Sequence, residues 1–296
     1  MPMLPEHEIH DKKCFDRHTG FWMIALEYFL PLAQSILSGK TLPLAKKAES
    51  IDEPSYVVDK NGIARLQMYG PMMKGYSKYA DNVSTLALRR SVRELWSDDF
   101  AKGVLIDVES PGGTVAGTFE TADDITRLAR IKPVYVQVSD FAASAAVWAI
   151  SGATRIYVNE AGQMGSVGAM AIVEDTFGAK MMEGVKVFAV TSGSQKADFI
   201  AGTEITPEML SRLQERIDHF GNMFASHLQK NRHLSSAAMK TITTAEIFTA
   251  HRAVELGLAD GVVDIETTYK NLNQEIKDRA KVEREATTQK MRNAMI

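Results

Sequence analysis

Serine, cysteine, histidine and lysine are the side chains that can attack a carbonyl or activate an attack on it, and their positions in this sequence divide sharply. The single cysteine, Cys14, lies near the start of the chain and leaves the middle without a thiol nucleophile. The seven histidines fall into two groups: His7, His10 and His18 at one end, and His219, His227, His233 and His251 at the other. A Ser-His-Asp triad on the central segment would need a distant helix to fold back and supply its base. Lysine is the remaining option, and between Gly103 and Ile200 the candidates are Lys132, Lys180, Lys186 and Lys196. Lys132 precedes a strand pattern, and Lys180 and Lys186 flank a helix and a strand start. Lys196 follows Thr191-Ser192-Gly193-Ser194, just past a strand-like run, where catalytic groups of α/β sheets collect. Burial beside apolar atoms makes an amine lose its proton more readily and fits it for general base work. An exposed loop lysine does neither, and the residues alone leave both readings open.

Three junctions are rich in small residues: Ser110-Pro111-Gly112-Gly113, Ala142-Ala143-Ser144-Ala145-Ala146 and Gly165-Ser166-Val167-Gly168. Glycines let a backbone turn sharply and present N–H groups to a bound atom. A serine between a strand end and a helix start is placed as a nucleophile, with N–H groups near a developing oxyanion. Ala-Ser-Ala is also what close packing of helix on sheet requires, so the motif by itself separates the two readings poorly.

The elements that must position these residues alternate. Gly62 to Met68, Val104 to Val108, Val134 to Val138, Arg155 to Val158, Ala169 to Val173 and Val185 to Val190 read as strands. VLIDV at Val104 has the continuous apolar pattern of a strand buried on both faces. Asn82 to Trp96, Val115 to Arg130 and Ser144 to Ile150 read as helices, so the expected class is α/β with a mostly parallel sheet. Thr206-Pro207 opens a long helix to His233, with Thr206 as N-cap and Pro207 at the first position. Thr244 to Gly257 reads as a further helix and Gly261 to Ile265 as a strand. The expected organisation is an N-terminal helical extension and linker (1–55), a main domain (56–266) and a charged helical tail (267–296) that protrudes. Within the extension, Gly20 to Leu37 reads as an amphipathic helix that docks through Phe21, Leu26, Tyr28, Phe29 and Leu32. Glu27 and Pro31 interrupt it, and it falls short of a membrane span or a cleaved secretory signal.

Composition narrows the function. With 34 Lys plus Arg against 37 Asp plus Glu, a net charge of −3 leaves no basic footprint for nucleic acid. Gly165-Ser166-Val167-Gly168 lacks the Gly-Lys-Ser/Thr ending of a phosphate loop, His219 and His227 are too far apart for a close metal pair, and no His-Glu-x-x-His is present. No cofactor or metal is implied. Asp123-Asp124 reads as a solvated helix face.

In order, Asp107-Val108-Glu109-Ser110-Pro111-Gly112-Gly113, Ala143-Ser144, Gly165-Ser166-Val167-Gly168 and Ser192-Gly193-Ser194-Gln195-Lys196 resemble the signal peptide peptidase A family of serine proteases. The likeness, over about Ile63 to Val263, is nearest to its phage branch, the head-maturation (capsid assembly) proteases of tailed phages. The interval of 52 residues from Ser144 to Lys196 also looks like the family's spacing. The resemblance implies a Clp/crotonase-like ββα superhelix and a Ser-Lys dyad with Ser144 as nucleophile and Lys196 as general base. It further implies that Ser166 helps hold the lysine amine and that Gly112 or Gly113 and the Ala145 N–H form the oxyanion hole. Where the family often has two glycines after the serine, this chain has Ala145-Ala146; only backbone N–H groups are needed there. The expected function is cleavage of scaffold and coat proteins during prohead maturation, by a homo-oligomer in the host cytoplasm or prohead, with no nucleic acid and no membrane involved. The alternatives are a membrane-associated bacterial peptidase that degrades signal peptides, acyl-CoA chemistry on the same fold, and a non-catalytic capsid assembly protein.

Overall fold

A computed structural model describes residues 22–25, 56–76 and 82–294. The strands are β1 (Trp22–Ile24), β2 (Val57–Val58), β3 (Ile63–Tyr69), β4 (Met72–Met73), β5 (Val83–Ser84), β6 (Gly103–Ser110), β7 (Gly112–Thr114), β8 (Val134–Ala143), β9 (Arg155–Val158), β10 (Gln163–Gly165), β11 (Ile247–Thr249) and β12 (Gly261–Val262). The helices are α1 (Thr85–Ser97), α2 (Thr118–Ile131), α3 (Ala145–Ile150), α4 (Phe177–Met182), α5 (Pro207–Arg232), α6 (Ser236–Ile242), α7 (Ala250–Glu255) and α8 (Ile265–Ala294).

The larger sheet runs β11-β10-β8-β6-β3-β2, with β9 on β8 and β12 on β9. Only the β2–β3 and β10–β11 pairs are antiparallel. The expected α/β class with a mostly parallel sheet is what the chain adopts. Alternation along the central strands explains their continuous apolar runs. Val104, Ile106, Val134 and Val136 share the main core with Leu88, Val92 and Leu95 of α1 and Ala122, Ile125 and Leu128 of α2. The residues between them, Leu105 and Tyr135, pack on Leu272 of α8, with Tyr269 and Ile276 at the edge. The start of the charged tail is therefore part of the core. It is also tied down by polar bonds, Tyr135 Oη to Glu275 at 2.6 Å and Thr268 Oγ1 to Gln137 at 2.6 Å. From Lys281 to Asn293 the helix is exposed.

A small sheet, β1-β7-β4-β5, lies at the end of the larger one. It joins two parts of the chain remote in sequence, because β1 pairs antiparallel with β7 in the register Trp22 with Thr114, Met23 with Gly113 and Ile24 with Gly112. Within the helix expected over Gly20 to Leu37 the structure has instead a strand at Trp22–Ile24 followed by an extended Ala25, and the other residues of that stretch lie outside the described ones. The expected 38–55 linker lies there too.

Three further expectations are revised. Ala169 to Val173 and Val185 to Val190 have strand-like sequences but form no ladder; α4 is the regular element between β10 and α5, and Met182, Phe188 and Val190 are 92%, 83% and 98% exposed. Thr244 to Gly257 splits into β11 and the short α7, because Ile247–Thr249 find Gln163–Gly165 as a partner. Asp124 is not solvated: it is buried on α2, with Arg89 and Arg93 of α1 at 2.8 and 3.0 Å. The long helix α5 starts as its sequence dictates, with Pro207 at the first position and Thr206 Oγ1 accepting from the Met209 N–H at 3.3 Å.

Candidate active site

Strand β8 delivers the chain into α3 through one residue, Ser144. Its backbone, at φ 53° and ψ −117°, lies outside the ordinary regions for an L-residue. A serine held on a strained strand-to-helix turn presents its hydroxyl away from both elements, the arrangement of a nucleophile elbow. Ser144 is 1% exposed, and Ala143, Ala145 and Ala146 around it are fully buried.

Two features hold this turn. The Ser144 N–H donates to the Gly165 carbonyl at 2.8 Å, and parallel pairing sets Ala143 beside Gly165. Helix α3 is anchored from below by Trp148, which is fully buried, stacks on Phe224 of α5 at 4.9 Å and donates its indole N–H to His227 Nδ1 at 3.0 Å. Burial holds the His227 imidazole below its ordinary value of 6.5, consistent with a neutral ring that accepts from the indole. His227 is therefore committed to positioning α3.

Ser166 follows Gly165, whose carbonyl accepts from the Ser144 N–H. Ser166 also has a left-handed backbone, at φ 56°, and its N–H donates to the Glu246 carbonyl at 2.8 Å. Gly112 and Gly113 meet the same turn from the other side. At Gly112, φ is +96°, and the position a Cβ would take lies 2.8 Å from the Ala143 carbonyl oxygen and 2.9 Å from the Ala145 nitrogen, the groups that flank Ser144. At Gly113 a Cβ would lie 1.8 Å from the Met72 carbonyl oxygen, so only glycine lets β4 approach. Ser110, buried at the end of β6, supports the loop by donating to the Gly70 carbonyl at 2.7 Å and accepting from the Gly112 N–H at 3.3 Å. The first N–H groups of a helix have no acceptor within it. Ala145 therefore brings a free donor to the place where the Gly112-Gly113 backbone arrives.

Ser144, Ser166, Gly112, Gly113 and Ala145 are thus gathered at the carboxyl ends of β6, β8 and β10. Lys196 is not joined to them: it lies exposed in the turn before α5, its N–H donates to Gly193, and its amine makes no hydrogen bond or ion pair among the described residues. That turn is fastened to α5 through Asp198 and Arg212 at 2.7 Å. Sequence reasoning missed the approach of Met23, Ile24 and Ala25 to the site, since a strand three residues long carries no readable period. Among the described residues no cluster of three or more His, Cys, Asp or Glu is placed to hold a metal, and no helix is long and apolar enough to cross a membrane.

Known proteins resemble this chain over the part that holds these residues. The chain is 32% identical over 207 residues to the head-tail preconnector protein GP5 of Enterobacteria phage P21, covering 69% of the chain and 41% of that protein. It is 31% identical over 208 residues to the capsid assembly protease C of Escherichia phage lambda, covering 69% and 47%. It thus spans less than half the length of either phage protein. Over 190 residues it is 27% identical to a putative signal peptide peptidase SppA of Enterococcus faecium, covering 63% of the chain and 54% of that protein. The model of peptidase family S49 matches residues 126–279, more than half of the sequence and the part that contains Ser144, Ser166 and Lys196, and the chain belongs to that family.

Proposed function

We propose that the protein is a serine endopeptidase that cleaves scaffold and coat proteins during maturation of a phage prohead. The observation that carries this reading is the convergence on Ser144 of a strained strand-to-helix turn, the Ala145 N–H and the Gly112-Gly113 backbone. In this mechanism the Ser144 hydroxyl attacks a peptide carbonyl, and the N–H groups of Ala145 and of Gly112 or Gly113 stabilise the oxyanion. Neutral Lys196 takes the serine proton and returns it to the leaving amine, Ser166 steadies the lysine amine, and water releases the acyl-enzyme. Lys196 enters this reading through the ordered motifs of the family and its 52-residue interval from Ser144. Its segment leaves Met182, Phe188 and Val190 in water. In a homo-oligomer these side chains are covered, and the rearranged segment carries Lys196 to the serine. The host cytoplasm and the prohead are the places of action in this reading. A peptidase that degrades signal peptides is the second reading, suggested by the relative from Enterococcus faecium.

The test is intact mass of a co-expressed scaffold protein incubated with wild type, Ser144→Ala or Lys196→Ala protein. Only the wild type should cleave it, with both variants folded, and a fluorophosphonate probe should label Ser144. Full cleavage by folded Ser144→Ala protein refutes the mechanism. Absence of labelling and cleavage in the assembled wild type favours a non-catalytic assembly role.

A further inference from the structure

Strand β1 does not lie on the small sheet at random: it runs across the site, and its carbonyls can be followed one by one. The Ala25 N–H donates to the Pro111 carbonyl at 2.8 Å, which makes Ala25 and Pro111 a hydrogen-bonding position of the antiparallel ladder. Such positions alternate, so Ile24 opposite Gly112 is the non-bonded pair, and Met23 opposite Gly113 is again bonded. The Gly113 N–H is thereby directed at the Met23 carbonyl. An independent measure places the same carbonyl. The point a Cβ on Gly112 would occupy is 2.2 Å from the Met23 oxygen and 2.9 Å from the Ala145 nitrogen. The Met23 carbonyl oxygen and the Ala145 nitrogen therefore both border the same small space beside Gly112, next to Ser144. The chain on either side of it is seated as well. The Met23 side chain is buried in the main core, Ile24 packs on Met73 with Met170 beside it, and Ala25 packs on Phe141 and on Ala143, the residue before Ser144.

We infer that residues 22–25 occupy the substrate groove as an extended peptide, and that the Met23–Ile24 bond is a self-cleavage site of this protein. This rests on the reading of Ser144 as a nucleophile and adds the substrate class to it: an extended apolar strand with a long unbranched side chain on the residue whose carbonyl is attacked. In the step, the Ser144 oxygen bonds to the Met23 carbonyl carbon and the bond from that carbon to the Ile24 nitrogen breaks. The serine proton ends on the Ile24 amine, and one water then splits the ester to leave a carboxylate on Met23 and restore Ser144. Until the cut, β1 fills the groove that an external substrate needs.

The test uses the full chain, followed by intact mass and N-terminal sequencing, with β-casein added as an unstructured external substrate. Wild type should convert from 32.7 kDa to a product beginning at Ile24, while Ser144→Ala stays intact. A Met23→Leu variant should be cut like wild type. A Met23→Asp variant should be cut at least roughly 10-fold more slowly, since an apolar pocket discriminates by that much or more. Ile24→Pro, which keeps Met23 in place but removes the secondary amide, should abolish the cut in a protein that melts like wild type. If casein is cleaved in a Ser144-dependent way while the Met23–Ile24 bond stays intact, or is cut equally fast in Met23→Asp and Ile24→Pro, the inference fails and the peptidase reading stands. If Ser144 supports cleavage of neither, both fail.

Discussion

The sharpest perturbation of this site is a single methyl group at Gly112. Gly112→Ala places a Cβ 2.2 Å from the Met23 carbonyl oxygen, 2.8 Å from that of Ala143 and 2.9 Å from the Ala145 nitrogen. Carbon does not approach a backbone atom that closely, so the turn at Ser144 or the loop at Gly112 must shift by several tenths of an ångström. A φ of +96° adds backbone strain of about 1–3 kcal/mol for a residue with a Cβ. Gly184→Ala separates the two effects, because Gly184 also has a positive φ, +73°, with nothing within 4 Å of its Cβ position. For a domain of this size, about 1 kcal/mol lowers Tm by roughly 2–4 °C, the change expected for the control. Gly112→Ala should lose more than that. Displacing one oxyanion donor should also lower the cleavage rate by about 100-fold or more. The assay is a calorimetric melt of each variant together with casein cleavage followed by mass. Gly112→Ala that melts with Gly184→Ala and cleaves within about two-fold of wild type would refute the placement of Gly112 against the serine turn.

Other perturbations test the supports of the site. Trp148→Ala removes a fully buried indole stacked on Phe224 and bonded to His227, and should cost about 3–5 kcal/mol in a urea titration. Because burial lowers the pKa of His227, the unfolded chain binds a proton at a higher pH than the folded one does. Stability should be full above about pH 6.5 and fall as the pH drops below it, with the slope reduced in His227→Gln; a slope unchanged in that variant sinks the assignment. Asp124→Ala strips Arg89 and Arg93 of their shared carboxylate, and should cost about 1.5–3 kcal/mol by thermal melt, with α1 and α2 separating first in hydrogen exchange.

What the sequence made legible follows from where hydrogen bonds are made. Runs such as Val104 to Val108 and Arg155 to Val158 are long enough to carry their own pattern, and the helix start at Thr206-Pro207 needs only local chemistry. Strands β1, β4, β5, β7, β10 and β11 are two or three residues long and exist because a distant partner pairs with them. Ile247–Thr249 shows this, lying in a stretch whose composition suits a helix. The reverse holds at Ala169 to Val173 and Val185 to Val190, whose strand-like residues extend into no ladder, a lone bridge at Met170 aside. Asp124 looked solvated because the arginines that bury it come from another helix. At the site, the small-residue junctions are legible because each follows the end of a strand, β6, β8 or β10, of the larger sheet. Lys196 follows no such strand and lies exposed in a turn apart from these residues, so the pairing with Ser144 proposed above is not a property of the local chain.

Under the proposed function, the pairing of β1 with β7 also bears on which substrates would be accepted. A groove that takes its occupant by backbone ladder bonds selects conformation before it selects side chains. Three residues in a strand span about 10 Å, and a helical or tightly packed stretch must unwind to offer them. On the proposed function, a protein reaching Ser144 by this route would be judged by how easily it opens locally, so that folded shell domains would escape and loosely held segments would be cut.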